Sequence, residues 1–399
     1  MELRSIERPR KQRIVVMTVA LILAAVAVAG TIRAFRADHR PADERPTVVA
    51  RIRVAGTPFA IAAGQDAIWV VSAETGTLSR IDPEADRVVG ALRIAGPEQL
   101  NGVAVTRDAV WVAVFGDFNA NGTVGGGSLV RVDPGTMRIV ARLPISGIVA
   151  LEPGMGSLWA NAVRQPGANQ EAAVPVGTSH PGGPGPGRAS SSVYRIDPST
   201  DKVQAVLTGA SLSIRMVVAG GFVWVYDQWH RAIERVDPRT GRVTRIASEP
   251  VSIGAGDVTD SLAYADGGLW FPDCGAEGWC PVTGPLSVRR LAVSTGDVST
   301  IPLGISGTIE KTRRGHIERN GGDTLYVAAA DPNSVWLMVR NQTWEGRTSR
   351  YWGGRLIRMD ISTRRVQAVT IGFYAGGVIA DGDLWLADSQ HDSVLRVDP

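Results

Sequence analysis

The chain closes on "DSVLRVDP", residues 392–399, and the same phrase runs through it: "LSRIDP" at 78–83, "LVRVDP" at 129–134, "VYRIDP" at 193–198 and "IERVDP" at 233–238. Each earlier copy continues into an apolar, strand-like segment, as in "DRVVGALRIAG", whereas the last copy has nothing after Pro399. Upstream of each phrase stands a Trp in a short apolar run, such as "QDAIWVV" or "GDLWLA". These are Trp69, Trp111, Trp159, Trp224, Trp270, Trp336 and Trp385, separated by 42, 48, 65, 46, 66 and 49 residues. A unit of that size repeated seven times, twice enlarged by insertions, has the period of a propeller blade.

Within a unit the text reads as four short strands, a to d, parted by turn residues. In the fourth they are "IRMVVA", "FVWVYD", "AIERVD" and "RVTRIA", with "GG" between a and b and "DPRTG" between c and d. Asp237 can accept hydrogen bonds from backbone amides just ahead, Pro238 presets φ, and Gly241 tolerates a positive φ. The repeated Asp-Pro is therefore turn grammar, and Asp82, Asp133, Asp197, Asp237, Asp360 and Asp398 serve the blades and not a reaction.

The strand missing after Pro399 is found at the other end. "VVARIRVAG" at 48–56 nearly repeats "VVGALRIAG" at 88–96, the d strand of the first unit, yet no strands a to c precede it. The sequence thus predicts an all-β fold, a seven-bladed propeller over 46–399 closed by its N-terminal strand. Closure leaves no unpaired end to the array. Composition agrees: 46 Gly, 23 Pro and 44% hydrophobic residues suit turn-rich β structure with a large core. A net charge of +3, partly carried by the N-terminal residues, gives no basis for a nucleic-acid partner.

Residues 1–13 contain Arg4, Arg8, Arg10, Lys11 and Arg13, and 14–32 ("IVVMTVALILAAVAVAGTI") contain no charge. As a helix the latter spans roughly 28 Å, enough for a bilayer core. The basic flank would hold the N-terminus in the cytoplasm, leaving the propeller outside on a charged linker, 33–45. A signal peptide cut after "AVA" at 27–29 is the alternative. Cys274 and Cys280, the only cysteines, would form a local disulfide in that compartment.

A four-stranded blade places its a–b and c–d turns on one face of the ring and its b–c and d–a connections on the other. The long segments, including 116–127, 164–191, 274–284, 304–323 and 341–354, all belong to the second set. Such one-sided elaboration marks a binding face. Trp229, Trp279, Trp344, Tyr351 and Trp352 fall in b–c connections on that face, with Gln342, Arg347 and Arg350 interspersed, as candidate ligand-binding residues.

Repeats such as "GGLWFPD…TGDV" and "GDLWLADSQHDSVLRVDP" resemble the seven-bladed propellers of the streptogramin (virginiamycin B) lyases and their relatives with YVTN or NHL repeats. The resemblance implies a scaffold over 46–399 and, in its lyase members, a His and a Glu acting with Mg²⁺ at the channel mouth. No blade has Glu three residues after its Trp; Asp227, Asp273 and Asp388 stand there and are candidate ligands for Mg²⁺ or Ca²⁺. His230 and His391, each six residues after a blade Trp, are candidate bases together with Asp273. "DFNANG" at 117–122 matches the first half of a calcium loop, but Ser128 replaces its closing carboxylate. The sequence supports first a non-catalytic binding propeller and second a metal-dependent lyase or hydrolase.

Overall fold

A computed structural model describes residues 45–118, 124–163, 190–211, 216–227, 232–247, 262–273, 285–306, 312–314, 317–319, 321–345, 348–372 and 376–399. Seven four-stranded antiparallel sheets succeed one another along the chain. Blade one comprises Pro58–Gly64, Ala67–Ser72, Thr77–Asp82 and Arg87–Arg93, which are strands a to d. Blade two uses Leu100–Thr106, Ala109–Val114, Ser128–Asp133 and Arg138–Leu143; blade three uses Ile148–Gly154, Ser157–Val163, Ser190–Asp197 and Lys202–Ser211. Blade four has Met216–Ala219, Phe222–Asp227, Ala232–Val236 and Val243–Ala247, and blade five Ala263–Ala265, Gly268–Asp273, Pro285–Ala292 and Val298–Ser306. Blade six has Gly321–Ala330, Ser334–Glu345, Thr348–Asp360 and Val366–Ile371. The described residues include no helix long and apolar enough to cross a membrane, and the segment 14–32 lies outside them.

The seventh sheet takes Gly376–Ala380, Asp383–Asp388 and Ser393–Asp398 from the end of the chain and its d strand, Thr47–Arg53, from the beginning. That strand runs antiparallel to Ser393–Asp398, with Thr47 opposite Asp398 and Arg53 opposite Ser393. Closure from both ends is therefore as the repeat text requires, and the ladder leaves no open seam.

All seven blade Trp side chains are buried on strand b, at most 1% exposed. The indole Nε1–H of Trp69, Trp159, Trp224 and Trp270 donates to the backbone carbonyl five residues upstream, at 3.0–3.1 Å. In blade two Trp111 donates instead to Thr106 Oγ1. Directly across the ladder, on strand c, each Trp faces an arginine: Arg80, Arg131, Arg195, Arg235, Arg290, Arg358 and Arg396 in turn. In six blades the guanidinium lies over the indole at 5.5–5.9 Å, and in blade four Arg235 lies over Phe222 at 4.5 Å. In six blades the arginine is the residue two places before the turn Asp, the "R" of "RIDP", "RVDP" or "RMDI", and in blade five Arg290 stands two places before Ala292.

The c–d turns join this pairing to the neighbouring blade. In blade one Asp82 Oδ1 accepts from the amides of Glu84 and Ala85, and in blade two Asp133 Oδ1 accepts from Thr136. The fifth turn residue adopts positive φ in six blades: Asp86, Met137, Asp201, Gly241, Gly296 and Arg364. Several of these turns lean onto the preceding blade. Arg80 donates to Pro134 O, Arg131 to Asp201, and Arg396 to Pro83 O and Asp86, while Arg364 sits 5.6 Å over Trp270. At four seams the plain face thus carries contacts between blades.

Shortening the chain to begin at Phe59 deletes the closing strand and opens a sheet edge. It should melt far below a chain beginning at Arg45, or aggregate; equal melting temperatures would refute closure as the stabilising step. The turn hydrogen bonds hold the carboxyls of Asp82, Asp133, Asp197 and Asp237 below their ordinary range; the largest cause is an amide of Ala85, Thr136 and Arg239 in the first, second and fourth, and the Ser199 hydroxyl in the third. A depressed carboxyl contributes stability above its unfolded pKa and loses it as pH falls through the folded value, here below about 4. Replacing all four by Asn should lower the melting temperature at neutral pH by a few degrees and flatten its fall in acid. An unchanged acid profile would count against these turns.

Candidate functional site

The connections predicted to be long lie opposite the Asp-Pro turns, and among them the described residues include most of 341–354. Blade six departs most from its neighbours. Its strands b and c run on to Glu345 and resume at Thr348, so the segment read as a long loop is largely a continuation of the ladder. Strand a follows it outward, with Gly321 opposite Thr343. Trp344 pairs with Ser349 and Tyr351 with Gln342, and an irregularity at Asn341/Gln342 leaves Trp352 between paired positions. Three of the five candidate aromatics thus stand on a ribbon extending from one blade. Beside it lies a small hairpin, Thr312–Arg314 with Ile317–Arg319, inserted ahead of the blade. Trp229, Trp279, His230, Cys274 and Cys280 lie outside the described residues.

The carboxylates at the end of strand b have different surroundings. Asp388 is fully buried. Arg51 of the closing strand reaches it at 2.6 Å, and the same guanidinium donates to Ser393 Oγ at 3.1 Å. His391 Nδ1 lies 3.0 and 2.9 Å from the two oxygens of Asp388, and the Gln390 amide donates to it at 3.2 Å. One buried charge therefore ties the first strand of the propeller to the last b–c turn. Such a carboxylate fixes the orientation of an imidazole, whose Nε2 then lies on the ring edge away from Asp388, and the His391 side chain is 58% exposed. His391 and Asp388 are brought together; Asp273 is elsewhere, in blade five.

Asp273 accepts from Ser287 Oγ at 2.8 Å and from Arg289 Nε at 3.1 Å, both on strand c. Its cross-strand partner, like that of Asp388, is a serine. Asp227 closes strand b of blade four opposite Ala232. Among the described residues no group of three or more His, Cys, Asp and Glu side chains is placed to hold a metal. Asp117, first residue of the calcium-loop match, begins a two-residue strand paired with Val124–Gly125 and accepts from Gln99.

The partner missing from the sequence reading is Arg51, which lies 337 positions from Asp388. The doubled text at 48 and 88 does not signal it, since the residue that matches Arg51 in the second copy is Ala91. Compared with known proteins, the chain matches no family model and no curated protein.

Replacing Arg51 by Met should destabilise the ring by on the order of 3 kcal/mol, because it strips a buried carboxylate of its one full cation. Replacing His391 by Ala should cost less, since the Arg51 guanidinium and the Gln390 amide still bond Asp388. Urea denaturation of the two variants gives the comparison, and a larger loss for His391 would reverse this assignment.

Proposed function

We propose that the protein is a membrane-anchored, extracytoplasmic β-propeller that binds a ligand or protein partner through its elaborated face and performs no chemistry on it. The observation that carries this reading is the contrast between the faces. On the plain side the turns are short, and several are bonded to the preceding blade. On the other side Trp344, Tyr351 and Trp352 hold positions on the blade-six ribbon, a continuation of the strand ladder. Aromatic residues on a rigid frame supply contact area at little cost in conformational entropy. Residues 14–32 are the proposed anchor, with the N-terminus cytoplasmic and 33–45 as tether, and Cys274 and Cys280 are the proposed disulfide.

A metal-dependent lyase or hydrolase is the second reading, and the oriented imidazole of His391 is what favours it. The two readings differ in what His391 should do. For a binding protein its loss changes neither the product nor the fate of the bound molecule.

The test uses the full chain in its native membrane, with protease added from outside to establish that the propeller is accessible there. What co-purifies on detergent extraction is then compared between the native protein and a Trp344→Ala, Trp352→Ala variant. The double change should weaken capture by about tenfold or more while moving the melting temperature little. Full capture by the variant, or a propeller shielded from external protease, would overturn the proposal.

A further inference from the structure

Residues directly opposite one another in an antiparallel ladder put their side chains on the same side of the sheet. In blade seven Asp388 on strand b stands opposite Ser393 on strand c, and Ser393 stands opposite Arg53 on the closing strand. One row across the end of the sheet therefore reads Asp, Ser, Arg. The row beneath it, Leu386, Leu395 and Arg51, shares that side, and its two leucines are buried in the core. Arg51 reaches from the lower row to Asp388 and Ser393, and His391 closes over the same carboxylate from the b–c turn. The Val54 amide donates to Asp392 O at 2.8 Å, which holds the end of the closing strand against that turn.

Asp388 needs no further partner, because the Arg51 guanidinium, the His391 ring and the Gln390 amide already surround it. The bonds of Arg51 to Asp388 and to Ser393 both leave from Nη1, so its Nε and Nη2 remain to donate elsewhere. Nε2 of His391 and the guanidinium of Arg53 remain as well. The Arg51 and His391 side chains are at least half exposed, and Arg53 is exposed with no ion pair among the described residues. Asp392, the other carboxylate of the turn, is exposed and forms no ion pair with any of the three. Two guanidinium groups against one buried carboxylate leave the cluster with positive charge in excess. Two other blades show what is particular to this one. In blade one Arg93 holds the place of Arg53, opposite Thr77, but Ala91 stands for Arg51 and Ser72 for Asp388. In blade five Asp273 and Ser287 keep their places, but Pro302 stands for Arg53, and Arg289 of strand c balances the carboxylate.

We propose that the end of blade seven, beside its b–c turn, is a binding site for one phosphate group, with Arg51, Arg53 and His391 as the residues that face it. A guanidinium donates to two oxygens of an oxyanion at once, which makes arginine the favoured residue for phosphate recognition. Asp388 is the positioning residue. It orients Arg51 and His391 before the ligand arrives, so their remaining polar atoms lose little freedom on binding. Ser393 Oγ lies 3.1 Å from Arg51 Nη1 and directly across the ladder from Arg53, which puts both arginines within reach of one small anion. Three such groups match the three terminal oxygens of a phosphate monoester, whereas a carboxylate has only two. Nε2 of His391 accepts the hydrogen of a monoprotonated phosphate oxygen or, when the ring is protonated, donates to an ionised one. The site goes beyond the ligand face of blade six: it uses none of the ribbon's aromatic residues and does not require the membrane anchor.

Equilibrium dialysis of the full detergent-extracted chain against radiolabelled inorganic phosphate, in a buffer free of other oxyanions, tests the site. About one phosphate per chain is expected, with acetate at equal concentration displacing little of it. Arg53→Gln should weaken binding about tenfold or more. Its melting temperature should stay that of the native protein, because Arg53 does not bond Asp388. Arg93→Gln, which removes an arginine from the same strand position of blade one, should bind phosphate like the native protein. Displacement by soluble glycerol phosphate or by phosphatidic acid in mixed micelles then shows whether a free or a lipid-borne monoester is the better ligand, and displacement by neither would overturn the site. So would the absence of stoichiometric uptake, uptake unchanged in Arg53→Gln, an equal loss in Arg93→Gln, or acetate competing as well as glycerol phosphate.

Discussion

Every blade is organised around an indole ring buried on strand b and faced by a guanidinium from strand c. The pair meets two demands that ordinarily conflict. The ring fills the seam to the next blade, and the cation stacked against it carries hydrogen-bond donors to the plain-face rim, where carbonyls and carboxylates of adjoining turns receive them. Arg396 shows the full form, bonded to Asp383 of its own blade and to Pro83 O and Asp86 of the next. Packing and polar satisfaction are thus obtained from one cross-strand pair, repeated. At three of the seams, those after blades one, two and seven, the same arginine also bonds the turn of the next blade.

The ring was legible because its determinants are local. A Trp in an apolar run and a turn after it each act within a few residues, and seven copies of the Trp, with Asp-Pro at the next corner in five of them, make the period plain. Closure was legible for the same reason: the text at 48–56 copies that at 88–96. The arginine was overlooked although it stands in every phrase quoted, because in a strand of alternating residues a charge reads as a solvent-facing position. Its partner is across the sheet, and one-dimensional text does not show which face of which strand it meets. The ribbon of blade six was read as a loop from its Asn, Thr and Gly content; the ladder from strand a, more than twenty residues upstream in sequence, supports it as strand.

The carboxylates after the blade Trp illustrate how position and environment separate. Three aspartates at the same place in the repeat have three sets of neighbours. Asp388 holds the closing strand through Arg51, Asp273 is bound to Ser287 and Arg289 within its own sheet, and Asp227 ends a strand whose cross-strand partner is alanine. Cross-strand partners separate Asp227, opposite Ala232, from the other two, opposite Ser393 and Ser287. A motif taken from the repeat would treat the three alike, whereas Asp273 meets an arginine of its own strand c and Asp388 one of the closing strand.

The pairing of Thr47 with Asp398 has a topological consequence. Six blades join strand c to strand d through a short corner, and in the seventh the two strands lie in the same register without a covalent link between them. A linker of a few residues from Pro399 to Thr47 would reproduce the corner that Asp82 and Arg87 already bound in blade one. The polypeptide could then be opened at any other corner on that side, giving circular permutants whose new ends emerge beside a different blade but always on the same side of the disc. Stability would report how much each corner owes to chain continuity, blade by blade, with no side chain altered.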